Sequence, residues 1–112
     1  MLNVNPETVR FIIDKAHEFQ MLDVEPESDS AETRDPAYAE LKSTIDDLEP
    51  DQQVDLISLM WVGRGDYRAD EWSRALADAR ERWNGRTAEY LIGTPLLSDF
   101  LSEGLDRLGI GE

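Results

Sequence analysis

A chain of 112 residues, 40% hydrophobic and 32% charged, is the size of one domain and long enough to bury about two thirds of its unfolded surface, which excludes a second core and a wholly disordered chain. A net charge of −14 excludes direct binding to nucleic acid or anionic lipid, since both depend on basic side chains that neutralise phosphate. The absence of cysteine excludes disulfides, thiolate catalysis and cysteine-held metal clusters.

The first segment, MLNVNPETVRF, has neither a basic n-region nor an apolar h-region, and the longest apolar run, around Leu56 to Val62, falls far short of the about 20 residues that span a bilayer. A cytoplasmic protein without membrane contact is expected. Its acidity is uneven: residues 1–60 hold 15 acids and 4 bases, net −11, and residues 61–112 hold 10 acids and 7 bases, net −3.

Proline is tolerated in the first helical turn because the N–H it lacks has no intrahelical partner there. Asn5-Pro6, Asp35-Pro36, Glu49-Pro50 and Thr94-Pro95 therefore each announce a helix. Behind Pro6, Val9, Ile12, Ile13, Ala16 and Phe19 form one apolar stripe, and behind Pro36 so do Tyr38, Leu41, Ile45 and Leu48. Between these two, Asp23 to Asp35 carries Glu25, Glu27, Asp29 and Glu32 with little to bury, and a mobile acidic loop over 23–35 is predicted.

The helix behind Pro50 differs, because between Val54 and Val62 only Asp55 and Ser58 interrupt the apolar run. A helix apolar all round is buried all round, so Pro50 to Val62 is predicted as the central helix, ended by Gly63 and Gly65 acting as caps. A new amphipathic helix begins near Asp70, with Trp72, Ala75, Leu76, Ala79 and Trp83 on one face, and Asn84-Gly85 ends it. A short helix spans about Thr87 to Ile92, and Pro95 opens the last, with Leu97, Phe100, Leu101, Leu105 and Leu108 as its stripe. The predicted fold is all-α: one compact domain over 1–112, a bundle of about five helices and one short helix around a central apolar helix.

Asp14 and His17 share a side of the first helix, but the chain has no second histidine, and His17 is expected to be a boundary residue rather than a metal ligand or catalyst. Carboxylates at Asp46, Asp47, Glu49, Asp51 and Asp55 lack the EF-hand spacing and its central glycine. Gly63-x-Gly65 follows a helix instead of a strand and lacks the phosphate-loop lysine. No catalytic residue, cofactor or metal is therefore assigned.

The three tryptophans admit two readings. They fill the core with each indole N–H finding a partner at a helix end, or Trp72 and Trp83, 11 residues apart, line one face and with Arg80 and Arg86 make an aromatic, cationic groove for a carboxylate, phosphate ester or acidic peptide. The groove's candidate residues are Trp61, Arg64, Asp66, Trp72, Trp83, Arg86 and Tyr90. Phe11 lies across from its helix's apolar stripe, with Leu22 on the same side, and marks a candidate self-association edge.

The stretches LNVNPETVRFIIDKAHEFQ, LMWVGRGD and ARERWNGRTAEYLIGTPLLSDFLSEGLD resemble the bacterial domain of unknown function 3775 family over nearly the whole chain apart from the acidic loop. The resemblance implies a small helical protein and brings no activity, ligand or site residue with it. The leading expectation is a non-enzymatic protein-interaction module, a homodimer or the partner of a basic protein. The alternative is a small-molecule or peptide binder, whether or not an enzyme, built on the tryptophan and arginine groove.

Overall fold

In a computed structural model that describes residues 2–20 and 36–110, three prolines stand as the first residues of helices: α1 (Pro6–Gln20), α2 (Pro36–Asp46) and α3 (Pro50–Arg64). A 3-10 turn, Ala69–Glu71, leads into α4 (Trp72–Arg82), followed by α5 (Thr87–Ile92) and α6 (Leu97–Arg107). No strand occurs among the described residues, and the fold is an all-α single domain. The acidic segment 23–35 and Leu22 lie outside the described residues.

α3 is the centre of the bundle. Every residue from Gln53 to Gly63 is buried, as expected of a helix with no polar face, and the start of the helix is tied by the Glu49 N–H, which donates to Gln52 Oε1 at 2.9 Å. α6 lies along one side of α3, α4 packs on another, α1 sits on α6 and α2, and α2 also meets α5. Val9, Ile12 and Ala16 of α1, Leu41 and Ile45 of α2, and Leu97, Leu101 and Leu105 of α6 close on Leu56, Leu59 and Met60 to make one core.

The two glycines after Trp61 have different jobs, and neither pairs with the other as a cap. Gly63 is inside α3, where a Cβ would stand 1.8 Å from the Phe100 carbonyl oxygen of α6; reciprocally, a Cβ on Gly104 would stand 2.3 Å from the Leu59 carbonyl oxygen. The two helices therefore touch backbone to backbone. Gly65, at φ 97°, is the cap, its N–H returning to the Trp61 and Val62 carbonyls at 3.1 Å each. Arg107 Nη1 also donates to the Val62 carbonyl at 3.0 Å, which fastens the end of α3 to the end of α6.

Two helix boundaries differ from the sequence expectation. Pro95 stands in a turn, not in a helix, and α6 starts only at Leu97 after Leu96 takes the left-handed conformation at φ 62°. α4 stops at Arg82, and Trp83 has extended backbone at φ −63°, ψ 133°. Trp83 thereby leaves the face that carries Trp72.

Two buried polar side chains inside α3 are used to hold neighbouring segments. Asp55 Oδ2 accepts the N–H groups of Asn3 and Val4, the latter at 3.0 Å, and so ties the chain ahead of α1 to the central helix. Burial raises the Asp55 pKa above the ordinary carboxylate value of 3.8, and the two N–H bonds only partly counter it. Gln53 donates from Nε2 to the Ile45 carbonyl at 2.8 Å, joining α3 to the end of α2.

Candidate functional site

α3 places Ile57, Trp61 and Arg64 on one side, since steps of four and three residues return to nearly the same helical bearing. The end of α4 and the first turn of α5 face them. The link between these helices is a tight turn: Gly85 at φ 84° supplies the left-handed step that a side chain would resist, and Asn84 Oδ1 accepts the Arg86 N–H at 2.9 Å. This turn brings Arg82, Trp83, Arg86, Thr87 and Tyr90 around Trp61, enclosing a groove of about 380 Å³ with Ile57, Asn84 and Glu89 completing its lining.

Both indoles of the groove are anchored by their N–H groups. Trp61, 4% exposed, forms the floor, and its Nε1 donates to Tyr90 Oη at 3.0 Å. Trp83, 37% exposed, is on the rim, and its Nε1 donates to Gln53 Oε1 at 2.7 Å. The Gln53 amide that holds Trp83 is thus the one that holds the end of α2. Tyr67 stacks on Trp61 with ring centroids 5.5 Å apart and 19° between planes, and its hydroxyl donates to Asp78, which raises the Tyr67 pKa.

The charges of the groove divide into spent and unspent. Arg64 grips Asp66 Oδ2 through Nε at 2.8 Å and Nη2 at 2.7 Å; burial lowers its pKa, but Asp66 and the adjoining Tyr90 hydroxyl outweigh this and the net shift is upward. Glu89 lies 3.7 Å from Lys42 of α2. Arg82 rests over the Trp61 ring at 5.6 Å, a cation–π contact, and holds no carboxylate among the described residues. The Arg86 side chain likewise has none.

Of the residues predicted to share a groove, Trp61, Trp83, Arg86 and Tyr90 line the 380 Å³ cavity. Trp61, Arg64, Asp66 and Tyr90 meet with Tyr67 and Arg82 around an adjoining cavity of about 230 Å³. Trp72 lines neither; it is buried in the core, with its indole N–H unpartnered among the described residues. Arg80, expected beside Arg86, turns to Asp51 at 3.7 Å. The lining residues that the sequence reading missed are Ile57, Arg82, Asn84, Thr87 and Glu89 in the larger cavity and Tyr67 and Arg82 in the smaller. Arg82 sits four before Arg86, on either side of Trp83, and that spacing was the available signal.

The Thr87 hydroxyl is sealed from solvent and has no hydrogen-bond partner among the described residues, although the residue lines the groove. A buried polar group left this way costs about 1–3 kcal/mol. The Phe11 edge is simpler: the ring is 41% exposed, with Lys15 Nζ 5.7 Å from its centroid. Asp14 and His17 are exposed on α1. Among the described residues no group of three His, Cys, Asp or Glu side chains is arranged to hold a metal, and no helix is long and apolar enough to cross a membrane.

These features define a small helical bundle with an aromatic groove edged by arginine. The chain belongs to the family described as Protein of unknown function (DUF3775), whose pattern matches residues 38–110, a span that includes α2 partly and both walls of the groove. No curated protein and no solved structure matches the chain.

Proposed function

We propose that this protein is a ligand-binding module, and that the groove between α3, α4 and α5 receives an anionic ligand. The observation that carries this reading is the pair Arg82 and Arg86. In a chain of net charge −14, Arg64, Arg68, Arg80 and Arg107 each have a carboxylate at 2.7–3.7 Å; the two arginines that line the aromatic groove have none among the described residues, a condition shared outside it by the exposed Arg74, and they alone of these three stand beside fixed indoles. Planar guanidinium groups beside fixed aromatic walls suit a ligand with an acidic head and an apolar body.

A second reading, a module that docks another protein, is favoured by Leu96, which is 58% exposed and held in a conformation that a leucine seldom adopts. One experiment separates the two. The tagged protein and its Arg82→Ala/Arg86→Ala variant are drawn from native lysate, and the retained metabolites and proteins are identified by mass spectrometry. An anionic metabolite held by the wild type and lost from an equally stable variant is the expected result. The same metabolites on both would sink the groove reading, and a protein partner sensitive to Leu96→Asp but not to the arginine pair would establish the second.

A further inference from the structure

The groove's charge, size and wall chemistry narrow the ligand further than its being an anion. Two arginines and one carboxylate, Glu89, are charged on its lining; the solvent-exposed Lys42 at 3.7 Å screens Glu89 only weakly, so the lining itself carries one net positive charge, and Glu89 opposes any ligand that brings two negative charges. A monoanion is matched and a phosphate dianion is not. At about 380 Å³ the cavity lies at the lower end of the range of small-molecule sites, about 300–1,000 Å³, the scale of one or two rings and not of a nucleotide.

The walls select the shape of the body. Trp61 is fixed by Tyr90 and stacked by Tyr67, and Trp83 is fixed by Gln53, so two indoles are held in place before any ligand arrives, and little ordering is left to be done on binding. The Tyr90 oxygen accepts from Trp61, while its own proton has no acceptor among the described residues and is free to be donated to an acid group. Among the described residues Arg82 is held over Trp61 only by its ring contact, so a carboxylate that draws it away breaks no ion pair with them.

We infer that the ligand is a planar aromatic monocarboxylic acid of one or two rings, its carboxylate between Arg82 and Arg86 and its ring against Trp83 and Tyr90. This rests on the groove being a ligand site, and the test keeps the two claims apart. Isothermal titration of the full chain is made with 2-naphthoate, with 2-naphthamide (the neutral shape), with cyclohexanecarboxylate (the same charge on a non-planar ring) and with 2-naphthyl phosphate (a dianion). The acid is expected to bind at least about tenfold more tightly than each of the other three.

Arg86→Ala is expected to weaken 2-naphthoate by about tenfold or more, and Arg86→Lys to recover only part of this, because lysine keeps the charge and loses the fork. Thermal unfolding of each variant, unchanged from wild type, shows that the fold is kept. Equal binding of the amide, of the cyclohexane acid or of the phosphate overturns the inference by showing that charge, planarity or monoanion preference is not read. If 2-naphthoate fails while the lysate experiment yields an arginine-dependent anion of another class, the inference falls and the groove reading stands. If neither binds, both fall.

Discussion

Asp55 shows how one side chain in the middle of an apolar helix can serve the segment that precedes the bundle. Its Oδ2 accepts two N–H groups while Oδ1 has no partner among the described residues, and burial makes ionisation costly. Because the folded state binds this proton more tightly than the unfolded chain, folding takes up a proton between pH 3.8 and the raised folded value, and the stability contributed by Asp55 falls as pH rises through that window. The stability of wild type relative to Asp55→Asn is therefore expected to decline over that interval and level off above it, as urea unfolding at stepped pH would record; a flat difference would mean that burial does not perturb the carboxyl. Asp55→Ala strands two N–H groups and is expected to cost about 2 kcal/mol or more, with faster hydrogen exchange at Asn3 and Val4. In the sequence Asp55 reads as an interruption of an apolar run and as one of five carboxylates without EF-hand spacing, because its partners are more than 50 residues away and make no local pattern.

At the scale of the helix, local chemistry was legible wherever a signal has one meaning. Proline after a capping or polar residue is the first residue of a helix at Pro6, Pro36 and Pro50, where the stripes behind it are the buried faces, but not at Pro95, which stands in a turn two residues before α6. Signals with two meanings misled. A glycine near a helix end is either a left-handed cap or a surface for close approach, and Gly63 is the second while Gly65 is the first. Gly63→Ala is accordingly expected to cost about 3 kcal/mol or more, since the obstacle is α6 backbone and cannot rotate aside. Gly65→Ala has open space around it and is expected to cost only the left-handed strain, about 1–2 kcal/mol. Chemical denaturation of the pair checks the order, and equal losses would contradict the backbone contact. Trp83 is a related case: periodicity carried it onto the face of Trp72, whereas the turn at Asn84 and Gly85 takes it off the helix and onto the groove.

Over the whole molecule, the acidic surplus acts against compactness. Carboxylates outnumber basic groups by 25 to 11, so folding brings like charges together, and salt, whose screening length shrinks from about 10 Å at 0.1 M to about 3 Å at 1 M, relieves that repulsion. The melting temperature is expected to rise with sodium chloride over this interval, in a scan read by tryptophan fluorescence, whereas a fall would mean that the surface ion pairs outweigh the net charge. The groove was half legible for a reason that also belongs to this scale. The tryptophans and arginines that cluster between residues 61 and 86 drew notice as residues, but which of them meet depends on how α3, α4 and α5 cross, and no spacing within a helix encodes that. Arg82 entered the site and Trp72 left it on those grounds alone.

The backbone contact between α3 and α6 has a mechanical consequence. Where Leu59 and Gly63 lie against Phe100 and Gly104 there is no cushion of side chains to compress or repack, so the two helices have no soft direction along which to slide and behave as a single stiff spine. At 100° per residue, Ile57, Trp61 and Arg64 emerge on the far side of α3 from that seam. What yielding the bundle permits is left to the flank there, where α4 gives way to a glycine turn and the six-residue α5. If the groove takes the ligand proposed above, its binding is expected to slow hydrogen exchange in α4 and α5 and to leave α3 and α6 as they were.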